Sequence, residues 1–438
     1  MFRPKLYFAI LGFAILLCMP SIARADAVTD WNAIAVQTIA NAGPSRGSAV
    51  GLLDSATVQA AVYDSVEAIT GRFRPYHVHI PRASGSPAAA AAKAAHDVLV
   101  NRFPAQTASL DATYHNYLAT QGLAEDDPGV AVGAQAAAGI IALRANDGSF
   151  PPNQPPFTGG TEPGTWRPTV SYLPGPPPSN SPMLAPWVAN VTPFTLTSPS
   201  HFRAPVPPSL TSKRYATAYN EVKALGAHSN SARTPEQTDL ALFWNANYLV
   251  LWNHALRDIA ALRVHDISDS ARLFALANLA MGDAGITAWD AKVHYVFWRP
   301  VTAIQEGDND GNPETVGDPN WQPLINTPNY PDYTSGANNA TGAMTRVLAL
   351  YFGTDEMTFS VATTNPAAVQ QTRTYDRFSD AAADVVNARI YEGIHFRFAD
   401  VQARRQGRQV AQWVFSHFLR SVDDDDHDDH EGDDDDDR

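Results

Sequence analysis

The chain has 438 residues, with 31 lysines and arginines against 45 aspartates and glutamates, and a single cysteine. A net charge of −14 excludes nucleic-acid binding driven by net charge, which needs a basic surface. Residues 423–438 hold 12 acidic residues and one arginine, so they contribute −11 of that charge and leave the rest mildly acidic. Such a run repels itself, and we expect a disordered acidic tail there.

Residues 1–25 have the pattern of a cleaved signal peptide. A positively charged start precedes an apolar run that is too short to span a bilayer comfortably, and Ala23-Arg24-Ala25 matches an A-x-A cleavage site. The alternative is a retained anchor helix. We expect a periplasmic or secreted protein that keeps no stable membrane anchor. Cys18 lies in this segment, so the mature chain needs no disulfide.

Apolar residues recur at three- and four-residue spacing through much of the remaining chain, and strand-like alternation is scarce. The fold class predicted is all-α, built from helical bundles. Asp54-Ser55, and Thr234 before Pro235, are expected helix starts. The predicted helices cover residues 27–42, 57–70, 88–101, 105–121, 129–146, 213–225, 235–264, 268–298, 340–352, 381–391 and 401–419.

Three regions are expected after the signal peptide: an N-terminal helical region over 26–149, an extended connection over 150–209, and a C-terminal helical region over 210–422. The connection is rich in Pro and Gly but carries large apolar side chains such as Trp166 and Phe194. A disordered linker seldom does so. We therefore expect a segment wrapped over the bundle surface. Such long connections often line an active-site entrance.

The stretch over residues 292–400 carries the groups needed to hold a tetrahedral oxyanion. Lysine and arginine neutralise its charge, arginine can grip two oxygens, and a serine hydroxyl and a glycine amide add neutral donors. An imidazole could act as a nucleophile or as a metal ligand. The candidate residues are Lys292, Arg299, Ser335, Gly336, Arg389 and His395.

The spacing of these residues favours a single site. Lys292 and Arg299 are seven apart, which predicts one helix face, with the helix ending at Pro300. Ser335 and Gly336 follow a turn-rich run and precede a predicted helix, so they should lie near a helix N-terminus, where an anion is favoured.

Arg389 and His395 lie on different sides of an unbroken helix, so they can meet only if the chain turns between them, which Gly393 permits. Taken singly, each piece has an ordinary structural explanation: a surface charge, a buried histidine or a turn. Only their order and spacing together indicate a site.

The pattern Lys-x6-Arg-Pro, then a Ser-Gly turn, then Arg-x5-His resembles the vanadium haloperoxidase and type 2 phosphatidic acid phosphatase superfamily. The resemblance covers residues 30–420 and is strongest to the bacterial haloperoxidase-like branch. It implies two helical bundles packed as one unit. It also implies that vanadate, or phosphate in its place, binds to Lys292, Arg299, Ser335, the Gly336 amide and Arg389.

The same resemblance implies roles for two further side chains. His395 would be the axial vanadium ligand of a haloperoxidase, or the nucleophile of an acid phosphatase that forms a phosphohistidine. Asp400 would orient His395. The implied reactants are hydrogen peroxide with a halide, or a small organic or phosphorylated substrate.

One departure from the family pattern bears on activity. The family usually places its acid/base histidine directly after Ser-Gly, and this chain has Ala337 there. His254 is an outside candidate to replace it. Three functions stay open: an exported vanadium haloperoxidase-like enzyme, an acid phosphatase, and an oxyanion-binding homologue without the family reaction.

Overall fold

The computed structural model describes residues 26–43, 46–47 and 49–425. The predicted signal peptide and residues 426–438 of the predicted acidic tail lie outside the described residues. Within the described part of the chain, none of the helices has an apolar stretch long enough to cross a membrane.

Five helices form the N-terminal region: α1 (Ala27–Asn41), α2 (Ala49–Thr70), α3 (Pro87–Arg102), α4 (Thr107–Gln121) and α5 (Pro128–Arg144). Local sequence explains several of their starts. The side chains of Ser86 and Asp127 accept hydrogen bonds from the first turns of α3 and α5, and a proline stands at the first position of each helix.

The start predicted for α2 at Asp54-Ser55 is wrong, because the helix begins at Ala49. Asp54 is fully buried inside α2 and pairs with Arg46 and Arg102, at 2.8 and 2.6 Å. Its carboxylate therefore serves a tertiary ion-pair cluster instead of a cap. Almost every residue of α2 is buried, as expected of a helix at the centre of a bundle.

Eight further helices follow in the described chain: α6 (Lys213–Leu225), α7 (Pro235–Trp244), α8 (Tyr248–Arg263), α9 (Ile267–Tyr295), α10 (Pro300–Gln305), α11 (Gly336–Tyr351), α12 (Phe378–Tyr391) and α13 (Arg397–His417). The single helix predicted over 235–264 is two helices, because Asn245 leaves the helical conformation and the Asn247 side chain caps α8. The all-α prediction is confirmed, with one small hairpin added.

That hairpin consists of β1 (Glu356–Ala362) and β2 (Thr372–Arg377), which pair antiparallel with Phe359 opposite Tyr375. Both of these aromatic side chains are buried, and Phe359 also contacts Phe378 at the start of α12. The hairpin thus joins the end of α11 to the start of α12 and adds to the core.

The 29-residue helix α9 lies at the centre of the molecule. It is buried from Leu273 to Lys292, and it packs against α2, α11 and α13. One hydrophobic cluster therefore contains side chains from both helical regions. The two bundles are packed as one unit, and the last turn of α9 places Lys292 against the carbonyls of Pro331 and Asp332, just before α11.

Residues 150–209 are irregular apart from a short 3-10 turn, yet they are fixed to the bundles. Trp166 is 1% exposed, and its amide donates to the carbonyl of Val296 at 2.7 Å. Further along, the amide of Phe194 donates to the buried carboxylate of Asp283 on α9, at 2.6 Å. These contacts hold the connection across the outside of the helices.

Candidate functional site

Lys292 and Arg299 do not share a helix, contrary to the prediction from their spacing. Helix α9 ends at Tyr295, and Val296 has a left-handed backbone with φ 48°. Arg299 is instead the N-cap residue of α10, where Pro300 occupies the first helical position. Pro300 therefore begins a helix, because its missing amide costs nothing in a first turn.

The two cations nevertheless converge on one segment. The Lys292 ammonium donates to the carbonyl of Pro331 at 2.5 Å, and Arg299 Nε donates to the carbonyl of Tyr330 at 2.7 Å. Both cations also lie 4.9 Å from the centre of the Tyr330 ring. Both are fully buried, and burial is the main cause that lowers the pKa of each group.

Ser335 and Gly336 lie at a helix N-terminus, as their sequence context predicts. Ser335 is the N-cap of α11 and Gly336 is its first residue, four residues before the predicted start at residue 340. The Ser335 side chain makes no capping hydrogen bond. The first amides of α11 lack partners within the helix, and its dipole favours an anion at this end.

His395 is turned into the same region by the backbone at Gly393, whose φ is 79°. The imidazole is 1% exposed, and its Nδ1 atom lies 2.6 Å from Oδ1 of Asp332. Burial, followed by repulsion from Arg299 and Lys292, lowers the pKa of His395 well below its usual value. The ring is therefore neutral, and its Nδ1–H donates to Asp332, so the Nε2 lone pair is available to a ligand.

Arg299 lies across the imidazole face. Its Nη1 atom is 3.1 Å from Nε2 of His395 and 3.4 Å from Nδ1. A nitrogen nearly equidistant from both ring nitrogens would collide with Cε1 if it lay in the ring plane. The guanidinium therefore approaches from outside the ring plane, with Nη1 within hydrogen-bonding distance of Nε2.

Asp332 was missed by the sequence analysis, and Asp400 does not have the predicted role. The carboxylate that holds His395 belongs to Asp332, whereas Asp400 lies in the first turn of α13 and accepts a hydrogen bond from Asn338 at 2.8 Å. The only sequence signal for Asp332 was that it lies just before the Ser-Gly turn. Nothing local indicates contact with a histidine 63 residues away.

Arg389 lies in the last turn of α12, and its Nη1 is 2.6 Å from Oε2 of Glu392, a second buried carboxylate. Burial raises the pKa of Glu392 to about 7, although Arg389 lowers it. Two buried donors in this cluster have no partner in the described chain, Arg389 Nε and Arg299 Nη2. Unpaired buried donors are costly, so these two atoms fit a site that receives ligand oxygens.

The cluster is nearly balanced in charge. Its cations are Lys292, Arg299 and Arg389, and its buried carboxyl groups are Asp332, Glu392 and Asp400. Burial is the largest cause that raises the pKa of each of these carboxyls, to about 7 for Asp332 and well above its usual value for Asp400. The raised pKa values of the carboxyls and the lowered pKa of Lys292 have the same main cause, the cost of burying a charged group.

A cavity of about 550 Å³ opens onto this cluster. Gly336, Ala337 and Arg389 line it, and Pro176–178 and Leu184 of the long connection lie along its wall. Most other lining residues are apolar, aromatic or asparagine. The connection therefore contributes to the entrance of the site.

The titratable side chains among the described residues that line this cavity are Tyr248, Tyr330 and Arg389. Among the described residues that line it, there is no histidine, aspartate, glutamate or lysine. His254 does not line it. Its side chain is 45% exposed and pairs with Asp258 at 3.8 Å. The structure therefore gives no support to His254 as a substitute proton shuttle.

The fold and the site together describe a helical two-bundle protein in which buried cations and carboxyl groups surround a buried imidazole. Residues 272–424, which include every candidate site residue, match the family model of the VCPO second helical-bundle domain. The chain is also 32% identical over 202 residues to the vanadium chloroperoxidase of Curvularia inaequalis. That alignment covers 38% of this chain, which spans about a third (32%) of the relative's length.

Solved structures show the same fold. A bacterial vanadium-dependent iodoperoxidase superposes with a TM-score of 0.74 at 24% identity, over 90% of this chain and 96% of that chain. An apo-type bacterial vanadium-dependent chloroperoxidase superposes with a TM-score of 0.69 at 19% identity. The superposition covers 85% of this chain and 93% of that chain. The resemblance to vanadium haloperoxidases inferred from the sequence is therefore confirmed.

Proposed function

We propose that this protein is an exported, vanadate-binding haloperoxidase-like enzyme whose usual acid/base imidazole is replaced by Ala337. The observation that carries the proposal is the pair of buried, unpaired donors on Arg299 and Arg389, in one cluster with the neutral imidazole of His395. The family match over residues 272–424 supports the same assignment.

The residues present fit vanadate. Its oxygens would be held by Lys292, Arg299, Ser335, the Gly336 amide and Arg389, and its metal by Nε2 of His395. We call this set of residues the cradle. Bound vanadate would supply a Lewis-acid centre that activates hydrogen peroxide towards a halide. Phosphate, which has the same tetrahedral shape and charge type, is the natural competitor for this cradle.

The protein's own contribution is orientation and charge. Asp332 holds Nδ1–H of His395 and so fixes the tautomer that presents Nε2. Tyr330 lies against both Lys292 and Arg299 and excludes water from them. In such a dry site each charged hydrogen bond is stronger than in water.

The consequence of Ala337 is slow proton transfer. Its methyl group lines the cavity where the family places an imidazole, and no described side chain nearby offers a carboxylate or imidazole to the cavity. General acid–base catalysis typically contributes about 10²–10⁴-fold, so we expect weak halide oxidation with vanadate binding retained.

Acid phosphatase activity is the second candidate, and the Asp332–His395 contact favours it, because it would also prepare the imidazole to attack phosphorus. The decisive experiment measures vanadate affinity, halide oxidation with hydrogen peroxide and phosphomonoester hydrolysis on one purified protein. We expect vanadate binding, slow halide oxidation and still slower hydrolysis. Failure to bind vanadate would overturn the proposal, and hydrolysis faster than halide oxidation would make the phosphatase the main function.

Export rests on the signal-peptide pattern of residues 1–25. Mass spectrometry of the protein recovered outside the cytoplasm should find a chain that begins near Asp26. An intact Met1 in the membrane fraction would contradict export by cleavage.

A further inference from the structure

A second cavity, of about 460 Å³, lies between α11, α13 and the start of α12. Three arginines line it: Arg346 on α11, and Arg404 and Arg408 on α13. It shares no lining residue with the cavity at Ala337. Arg346 is ten residues from Gly336 along α11, which corresponds to about 15 Å of helix.

The arginines of this second cavity lack acidic partners within the described chain. Arg346 donates to the side-chain oxygen of Gln412 at 2.6 Å. Among the described residues no ion pair involves Arg404 or Arg408, and no carboxylate contributes to the pKa shift of Arg404. The one carboxylate that lines the cavity, Asp355, already accepts from the hydroxyl and amide of Ser379, at 2.5 and 3.1 Å.

Two of these cations also repel each other. Arg404 and Arg408 are one helical turn apart, so their side chains lie on the same face of α13. Burial, and then repulsion from Arg408, lowers the pKa of Arg404. A charge that is half-buried beside a like charge is costly unless an anion neutralises it.

We propose that this cavity is a second oxyanion site, which binds a phosphate-type tetrahedral anion, either free or as the phosphoryl group of a small ligand. Guanidinium groups offer paired N–H donors that match the oxygens of such an anion. The bound anion joins α11, which begins at Gly336, to α13, which begins at Arg397, and it stabilises the folded protein by mass action.

Calorimetric titration with inorganic phosphate tests the site. The wild-type chain should show two binding events, one at the cradle and one at this cavity. The double substitution Arg404→Gln with Arg408→Gln should weaken the second event at least tenfold and leave vanadate binding unchanged. Arg405→Gln is the matched control, because Arg405 lies on the same helix and its substitution removes the same kind of charge, but Arg405 lines the adjoining cavity and not this one.

Equal effects of Arg405→Gln and of the double substitution would overturn the proposal, because they would indicate diffuse attraction to a basic surface. Repeating the titration with a simple phosphomonoester distinguishes a site for free phosphate from a site for the phosphoryl group of a small ligand. Tighter binding of the ester assigns a phosphorylated ligand, and tighter binding of phosphate assigns the free anion.

A crystal of the wild-type protein soaked in selenate gives a test that needs no variant. We expect anomalous density between the guanidinium groups of Arg346, Arg404 and Arg408. Density at the cradle alone would overturn the second site while leaving the proposed function intact.

Discussion

Nδ1 of His395 lies 2.6 Å from Oδ1 of Asp332, and both side chains are buried. The contact joins residues 63 positions apart and fixes which ring nitrogen carries the proton. Because Nδ1 is occupied, Nε2 is the atom that a metal or a phosphorus centre would meet. The orientation of the His395 imidazole therefore depends on the carboxylate of Asp332.

Replacing that carboxylate should loosen the imidazole. Asp332→Asn removes the charge-assisted hydrogen bond, which is worth about 1.5–3 kcal/mol, so vanadate affinity should fall roughly ten- to hundredfold. Nitrogen NMR of His395 should show a mixture of tautomers in the variant and one tautomer in the wild type. Asp400→Asn is the control, since Asp400 bonds to Asn338, and it should leave the His395 signals in place. If Asp400→Asn changed the His395 signals more than Asp332→Asn does, Asp400 and not Asp332 would be the residue that orients His395.

The unpaired donor on Arg389 makes this residue the sharpest test of the cradle. Arg389→Ala should weaken vanadate binding roughly ten- to hundredfold, because charged contacts are worth about 1.5–3 kcal/mol each. The substitution also leaves Glu392 buried without its ion pair, so the double variant with Glu392→Gln serves as a control for stability. Calorimetry should show the same loss of affinity in both variants. Wild-type affinity in either would mean that Arg389 does not bind the anion.

Restoring an imidazole at position 337 should restore turnover. Ala337→His should raise halide oxidation at least tenfold over the wild type, a cautious fraction of the roughly 10²–10⁴-fold expected of acid–base catalysis. Ala337→Asn fills similar space without a group that titrates near neutral pH, and it should stay slow. Steady-state assays with saturating vanadate measure the difference. If Ala337→His binds vanadate but is no faster, the cavity serves another reaction or binding alone.

The turn that delivers His395 depends on Gly393. Its φ is 79°, and an added Cβ would lie 2.4 Å from the carbonyl oxygen of Gly226 and 2.9 Å from Pro323. Gly393→Ala should therefore lower the free energy of unfolding by about 2–5 kcal/mol, from backbone strain plus overpacking. Gly353→Ala has a similar φ of 70° but open space, so it should cost only about 1–2 kcal/mol. Urea unfolding compares them, and equal losses would show that packing at Gly393 contributes nothing.

The buried carboxyl group of Asp64 should make the free energy of unfolding depend on pH. Its carboxylate accepts from the amides of Tyr76, His77 and Val78, but burial outweighs these bonds and raises its pKa to about 6. A raised pKa in the folded state means that the folded protein binds the proton more tightly. The stabilisation is therefore complete below the ordinary value of 3.8 and is lost as the pH rises through about 6.

Asp64→Asn removes that proton equilibrium. The free energy of unfolding of the wild type, minus that of the variant, should fall by about 2–3 kcal/mol between roughly pH 4 and pH 7, at about 1.4 kcal/mol per unit of pKa difference. Urea unfolding at several pH values measures the difference. A difference that does not change with pH would show that Asp64 titrates normally in the folded protein.

Much of the fold, and the set of candidate site residues, could be predicted from the sequence. Helix α6 has the predicted bounds, and α7 starts at the predicted cap, Thr234, because caps and apolar spacing act within one or two turns. The order of the cationic, Ser-Gly and histidine motifs likewise predicted side chains that are buried in the folded protein, and their anion-binding role stays a prediction. Ala337 was visible as a departure from the family pattern without any coordinates.

Tertiary structure alone decided which groups are paired and which are left free. Asp54, read as a cap, is an ion-pair partner inside α2, and Asp332, read as part of a turn, holds His395. Arg299 reaches the cradle from a separate helix, α10. These outcomes depend on contacts between distant segments and on how far burial strips water from each charge. Local sequence sets neither, because desolvation is a property of the packed core.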